Sequence, residues 1–160
     1  MLFQTLHYLV FLVLVVGIHW AVPYRYRLSI LGIASLVFYA SWNISYLPLL
    51  LLISVVAWGI GHWFTKKKVT PILYALSIFL VFCPLIIFKY WDFLAENLEI
   101  VASWGDLTLA IPSLKKDYGI ILPVGISFFT FQSLGYVVDV HRGTVPAEKN
   151  PIVFFLFVTF

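Results

Sequence analysis

The stretch LPVGISFFTFQSLGYVVDVHRG, from Leu122 to Gly143, decides how the rest of the chain is interpreted. It is mostly apolar, yet polar side chains interrupt it and charged or titratable ones close it: Ser127, Thr130, Gln132 and Ser133, then Asp139, His141 and Arg142. An unpaired polar group in hydrocarbon is costly, so a segment of this kind needs protein or water-filled space around it.

As a helix, this segment has two polar stripes. At about 100° per residue, Phe128, Gln132, Gly135 and Asp139 share one face. A second stripe on another side consists of Ser127, Thr130 and Ser133. Two polar stripes leave little surface for lipid, so the pattern predicts a helix in the interior of a bundle.

The composition indicates an integral membrane protein. Of 160 residues, 62% are hydrophobic and 11% are charged, with a mean hydropathy of +1.02. Soluble domains carry about 25% charged residues. The net charge of +3 does not indicate nucleic-acid binding, because the basic residues lie between apolar stretches, where membrane orientation accounts for them. A single cysteine, Cys83, excludes a disulfide framework, and the scattered histidines predict no metal site.

The apolar stretches predict an all-α, polytopic transmembrane bundle of about five spans. The region from Leu28 to Thr65 lacks Asp, Glu, Lys and Arg, and as one helix it would be about 57 Å long, too long for a core of about 30 Å. It is predicted to be a hairpin that turns between Trp42 and Pro48, where Asn43 and Ser45 favour a turn. The predicted spans are residues 2–22, 28–42, 47–64, 70–88 and 120–140.

Two further segments complete this single transmembrane domain. Residues 93–117 contain several acidic residues, and their apolar positions predict a short amphipathic helix along the membrane interface. The apolar residues 152–160 are too few to cross a bilayer, so they are interpreted as the start of a sixth helix and the domain as incomplete at its carboxy end.

The basic residues predict the orientation. Five spans place seven basic residues on one side: Arg25, Arg27, Lys66, Lys67, Lys68, Arg142 and Lys149. The other side has three, with five acids: Lys89, Lys115 and Lys116, then Asp92, Glu96, Glu99, Asp106 and Asp117. The positive-inside rule then puts the amino terminus outside and the His141–Arg142 end in the cytoplasm of a cell inner (plasma) membrane. A re-entrant segment at 120–140 would reverse only the last loop.

The stretch from Leu122 to Gly143 closely resembles the signature of the membrane-bound O-acyltransferases, in the branch that acetylates alginate or D-alanylates teichoic acid. Two other pieces agree with that family in order and spacing, namely Val37-Phe-Tyr-Ala-Ser-Trp42 and Phe88-Lys-Tyr-Trp-Asp-Phe93. One departure is His141, which stands where relatives carry an aromatic residue, often tyrosine.

This resemblance implies transfer of an acyl group, from acetyl-CoA or a carrier-bound donor, to hydroxyls of an exported polysaccharide. It implies no bound cofactor, a partner protein in the periplasm or outside the cell, and an essential histidine on a later helix. That histidine position is not within these 160 residues, so no catalytic residue is assigned and the chain alone is expected to be inactive. D-alanyl transfer to teichoic acid remains an alternative, as does a non-catalytic membrane scaffold or transport-like protein.

The polar residues of the stretch allow two interpretations. In the first, they bond neighbouring helices, and Asp139 and Arg142 form an interfacial pair three residues apart. In the second, they line the path of the acyl donor, because polar groups at membrane depth commonly mark pathways. The candidate residues for that path are Ser127, Thr130, Gln132, Ser133, Asp139 and Arg142.

Overall fold

A computed structural model describes residues 6–66, 69–104 and 111–159, with the side chain of Lys66 left out. Within these ranges the chain is all-helical, as predicted. The helices are α1 (Leu6–Ala21), α2 (Tyr24–Trp42), α3 (Leu47–Lys66), α4 (Pro71–Leu85), α5 (Trp91–Ser103), α6 (Ile126–Arg142) and α7 (Pro151–Thr159). The predicted positions 2–5, Lys67, Lys68, Asp106 and Phe160 lie outside the described residues.

Local chemistry explains where these helices begin and end. Pro23 stands between α1 and α2, where its fixed φ suits a helix start. A 3₁₀ turn at Ile44–Tyr46 separates α2 from α3, and the Asn43 side chain accepts a hydrogen bond from Ser45 N at 2.9 Å. Thr70 caps α4 in the same way and precedes Pro71. The α2–α3 break therefore falls within the turn that the sequence predicts.

The helix from Pro71 does not stop at Phe88. It passes through a π-helical turn at Ile86–Tyr90 and continues as α5 to Ser103, so the two form one rod of 33 residues. Pro84 lies inside α4 just before this turn, where it removes a backbone donor and disturbs the hydrogen-bond ladder. The sequence suggested a kinked span followed by a separate interfacial helix, whereas the structure joins the two.

Two helical segments are long and apolar enough to cross a membrane, Ile44–Thr65 and Pro71–Ser103, and α1 is a shorter apolar helix. Neither long segment is mostly buried, unlike the core helix of a soluble protein. Together with the composition, this identifies a membrane protein.

The core lies between α3 and α6, with α4 and α7 on either side. Contacts near the two ends show how the helices run. At one end, Phe64 of α3, Tyr74 of α4 and His141 of α6 form an aromatic cluster. At the other end, Tyr46 contacts Phe88 and the backbone of Ile121. Thus α4 runs antiparallel to α3 and α6, and α6 packs against α3, α4 and α7.

Candidate functional site

Helix α6 begins later than the predicted span at residues 120–140. Its first residue is Ile126, and the preceding Gly125 has φ of 77°, a left-handed conformation that favours glycine. Pro123 is buried just before it, and the backbone upstream is not helical. The six residues 120–125 therefore lead into α6 as a non-helical segment.

One face of α6 is buried against its neighbours. The buried residues follow helical spacing: Ile126, Phe129, Thr130, Ser133, Tyr136, Val137 and Val140. The opposite side is open, since Phe128 is 62% exposed and Phe131 57% exposed. The prediction that polar stripes would keep the whole helix inside a bundle is thus wrong for these residues. Periodicity shows which residues share a face of a helix, but the packing of neighbouring helices determines which face is buried.

Thr130 and Ser133 face the bundle. Both are 0% exposed, and neither hydroxyl has a hydrogen-bond partner among the described residues. Ser54 and Ser77 behave differently, because each donates to the carbonyl four residues earlier, at 2.9 and 2.8 Å. A buried hydroxyl without a partner costs about 1–3 kcal/mol. These two hydroxyls therefore remain free to bond another group, such as water, from within the core.

Gln132 and Asp139 lie on the open side, near Phe128 and Gly135. Both polar side chains are half-buried, and Gly135 is exposed, with nothing within 4 Å of the place where an added methyl group would lie. The Gln132 Oε1 atom is buried and has no partner in the described part of the chain. The face that the sequence groups together is therefore only partly open: Phe128 and Gly135 are exposed, and Gln132 and Asp139 are half-buried.

Two of the candidates stand apart from these. Ser127 is turned toward the π-helical turn Ile86–Tyr90, where Lys89 Nζ donates to its hydroxyl at 3.3 Å. Arg142 is exposed at the other end of α6. Among the described residues no ion pair joins Asp139 to Arg142, so the predicted interfacial pair is wrong. The Asp139 carbonyl, by contrast, accepts from Thr144 N and Thr144 Oγ1 at the helix end.

His141 packs as an aromatic residue. Its ring stacks on Tyr74 with 4.0 Å between centroids and an 18° interplanar angle, and Phe64 meets it edge-on at 5.4 Å. A flat ring at this position therefore joins the ends of three helices, which fits the aromatic residue of the family pattern.

Sequence reasoning missed Tyr39. This residue of α2 lies edge-on to Phe129, with ring centroids 6.3 Å apart, and its buried hydroxyl has no partner among the described residues. It lines a cavity of about 300 Å³ that also borders Gly125 and Phe128 at the start of α6. The available signal was its place in the Val37–Trp42 motif. No three His, Cys, Asp or Glu side chains of the described chain lie close enough to hold a metal ion.

Curated proteins resemble this chain over nearly its whole length. A protein of Azotobacter vinelandii named "Probable alginate O-acetylase AlgI" is 35% identical over 153 residues, which cover 92% of this chain and 30% of that protein. The protein of the same name from Pseudomonas aeruginosa is also 35% identical over 153 residues, covering 92% and 28%. A "Peptidoglycan O-acetyltransferase" of Helicobacter pylori is 32% identical over 115 residues, covering 70% and 20%.

The resemblance to the membrane-bound O-acyltransferases is therefore confirmed. No protein-family model matches the chain, and no solved structure matches it. The chain spans about 30% of the length of the Azotobacter relative. The structure adds one feature to this resemblance, the two-sided helix α6. One side carries two buried hydroxyls that have no hydrogen-bond partner among the described residues, and half-buried polar side chains lie next to the open side.

Proposed function

We propose that this chain is part of a membrane-bound O-acetyltransferase that transfers acetyl groups toward hydroxyls of an exported, alginate-like polysaccharide. The observation that carries the proposal is the 35% identity with proteins named alginate O-acetylase over 92% of the chain. In such a transfer, the acyl carbon leaves its donor and forms an ester with the acceptor hydroxyl, whose proton must be removed. The donor would be acetyl-CoA or a carrier-bound acyl group.

The proposed arrangement in the membrane has five crossings, at residues 2–22, 28–42, 47–64, 70–88 and 120–140, and an outward amino terminus. The meeting of Phe64, Tyr74 and His141 at one end supports this arrangement, because it brings the predicted cytoplasmic ends of three helices together. The excess of basic residues near that end supports the same orientation in a cell inner membrane. A partner protein on the opposite side would complete the transfer to the polysaccharide.

The open face of α6 is proposed to line the path of the acyl donor. Gln132 and Asp139 are half-buried polar groups beside the exposed Phe128 and Gly135, and polar groups at membrane depth face a pathway or other protein, not lipid. The hydroxyls of Thr130 and Ser133 are assigned a different part, since both are fully buried within the bundle. Ser127 and Arg142 remain candidates at the two ends of the same helix.

The acceptor is tested in the source organism with the complete gene. We expect deletion to remove ester-linked acetate from the exported polysaccharide, and the wild-type gene to restore it. The Gln132→Leu gene should restore at most a tenth of the acetate, which corresponds to an activation free energy higher by about 1.4 kcal/mol. The control gene, Phe128→Leu on the same face, should restore nearly all of it. Unchanged polysaccharide acetate in the deletion strain, with membrane levels of the protein verified in the parent, would refute the proposal.

A second acceptor is favoured by one observation, the 32% identity with the peptidoglycan O-acetyltransferase of Helicobacter pylori. The same strains distinguish the two acceptors, because acetate would then disappear from purified peptidoglycan and persist on the polysaccharide. Loss of ester-linked D-alanine instead of acetate would indicate D-alanyl transfer.

A further inference from the structure

The three sequence pieces that carry the family resemblance meet around the start of α6. Tyr39, from the piece in α2, lies edge-on to Phe129, with ring centroids 6.3 Å apart. Lys89, from the piece at the π-helical turn, donates from Nζ to the Ser127 hydroxyl at 3.3 Å. Phe129 and Ser127 both belong to the third piece. Lys89 and Ser127 are 38 positions apart in the chain, so the tertiary structure brings these pieces together at one end of the bundle.

Aromatic rings close this end of the bundle. The ring of Tyr46 stacks on Trp42 with 5.6 Å between centroids, and it meets Phe88 edge-on at 6.1 Å. Packing of large rings accounts for these three residues. It does not account for the residue that follows Phe88, because the charge of Lys89 adds nothing to such packing. The lysine therefore needs an explanation of its own.

Lys89 carries an isolated positive charge. It is the only charged residue between Pro71 and Trp91, in an otherwise apolar helical stretch. Its side chain is exposed, and its ammonium lies 5.5 Å from the centre of the Tyr90 ring. That ring and the Ser127 hydroxyl are neutral, and no carboxylate of the described residues forms an ion pair with Lys89. A charge in a membrane-crossing helix is costly and commonly has a function, and π-helical turns are frequent at functional sites.

The neighbourhood of this charge favours an anion. Ser127 is the second residue of α6, so the ammonium of Lys89 lies at the first turn of that helix. Backbone N–H groups give the first turn of a helix a partial positive charge, which repels a cation and attracts an anion. Two positive groups lie side by side here, without a carboxylate from the described residues to compensate them. An anionic oxygen group at this place would accept a charge-assisted hydrogen bond from Lys89.

We propose that Lys89 and Ser127 bind an anionic oxygen group of a substrate at the start of α6. Lys89 supplies the charge, and the Ser127 hydroxyl, which accepts from Lys89, keeps its own proton to donate to the anion. The identity of the substrate rests on the proposed function, which offers two sources of such a group: a carboxylate of an acidic, alginate-like acceptor or a phosphate of acetyl-CoA. In the proposed arrangement the acceptor lies on this side of the membrane.

Binding to the full-length protein in lipid nanodiscs tests the proposal with two probes, an alginate oligosaccharide and CoA. Lys89→Gln removes the charge but retains a hydrogen-bond donor. We expect it to bind one of the two probes about tenfold more weakly than the wild type, as for the loss of one charge-assisted hydrogen bond. The probe that is affected identifies the source of the anion. Wild-type affinity for that probe should also fall several-fold from low to high ionic strength, a measurement that needs no substitution.

Three further variants separate the charge from structural effects. Lys116→Gln removes a lysine that is already paired with Glu96, and it should bind both probes like the wild type. Lys89→Arg keeps the charge and should retain most of the affinity. Ser127→Ala breaks the contact between the π-helical turn and α6 but leaves the ammonium, so its loss should be smaller than that of Lys89→Gln.

Three results would overturn the inference: wild-type binding of neither probe, wild-type affinity that does not depend on salt, or equal binding by Lys89→Gln and Lys116→Gln. A loss in Ser127→Ala as large as that in Lys89→Gln would also overturn it, because the contact between the two elements would then matter and the charge would not. None of these results bears on the acetate of the deletion strain, so the proposed function is tested separately.

Discussion

The non-helical segments before and after α6 are both held by side chains that bond their backbone, but the chemistry differs. Before α6, the carboxylates of Asp92 and Glu99 accept hydrogen bonds from the backbone of residues 111–115. The Tyr46 hydroxyl bonds both the N–H and the carbonyl of Ile121. After α6, the bonds from the core come from neutral side chains, and the one carboxylate, that of Glu148, bonds only within the segment, accepting from Asn150 N at 2.8 Å. Trp58 Nε1 donates to the Glu148 carbonyl at 2.8 Å, and Glu148 N donates to Tyr136 Oη at 3.2 Å.

The two segments fix the position of α6 in different ways. The later segment is attached to the core itself, because Trp58 and Tyr136 belong to the packed α3–α6 interface. The earlier segment is attached to a peripheral helix, α5, and to the turn before α3. Changes after α6 should therefore disturb the bundle, whereas changes before it should chiefly loosen one segment.

The largest expected effect is at Gly61. A methyl group there would lie 2.5 Å from Tyr136 Oη and 2.6 Å from a ring carbon of Tyr136, closer than such atoms can approach. Gly61→Ala must displace the ring that packs on Phe154 at 4.5 Å and bonds Glu148. Overpacking costs about 1–3 kcal/mol, and the lost hydrogen bond about 1 kcal/mol more.

The matched control is Gly59→Ala on the same helix, where nothing lies within 4 Å of the added methyl. It should be neutral or stabilising by up to about 1 kcal/mol through helix propensity. Thermal unfolding of the purified protein in detergent compares the two variants. Equal melting temperatures would show that Tyr136 moves without cost and that the later segment is not fixed by this contact.

The next largest effect is expected at Tyr46. Its hydroxyl donates to the Ile121 carbonyl at 2.6 Å and accepts from Ile121 N at 3.1 Å. Tyr46→Phe removes both bonds while keeping the ring against Phe88. Because both bonds are exposed and water can replace the phenol, we expect a cost of about 0.5–1.5 kcal/mol for each bond.

Faster proteolysis of the segment around Ile121, with a smaller change in global melting temperature than for Gly61→Ala, would support this local role. Tyr118→Phe is the control, since the Tyr118 side chain is 64% exposed. If both phenylalanine variants were cut at the same rate as the wild type, the Tyr46 hydroxyl would not be holding the segment.

Sequence patterns anticipate some of these features and not others. The α2–α3 turn is readable because its determinants, Asn43 and Pro48, are local. The role of Asp92 is not, because its partners are backbone N–H groups 22 and 23 residues away that carry no side-chain signal. The same holds for the two sides of α6: the spacing groups Gln132 with Asp139 and Thr130 with Ser133, but only tertiary packing shows that the second pair is buried.

A smaller effect is expected at Asp92. Asp92→Asn keeps one oxygen acceptor but turns an amide N–H₂ toward a backbone donor, so one of the bonds to Leu114 N and Lys115 N is lost. Because the segment is partly exposed, we expect a cost of about 1–2 kcal/mol. Hydrogen exchange should show faster exchange at Leu114 and Lys115, while the amide of Glu148 stays protected. Faster exchange at Glu148 as well would mean that the two segments are coupled through α6.

The smallest effect is expected at Glu96, on the same acidic side of α5. Its carboxylate lies 3.6 Å from Lys116 Nζ, with 63% and 76% of the two side chains exposed. An exposed pair of this kind contributes little, so Glu96→Gln should change stability by less than about 0.5 kcal/mol and leave exchange at Leu114 unchanged. The comparison with Asp92→Asn separates charge from backbone bonding, since both variants remove one negative charge from the same face. If Glu96→Gln loosened the segment as much as Asp92→Asn, the negative charge of α5 would be what holds it, and the hydrogen bonds to its backbone would be secondary.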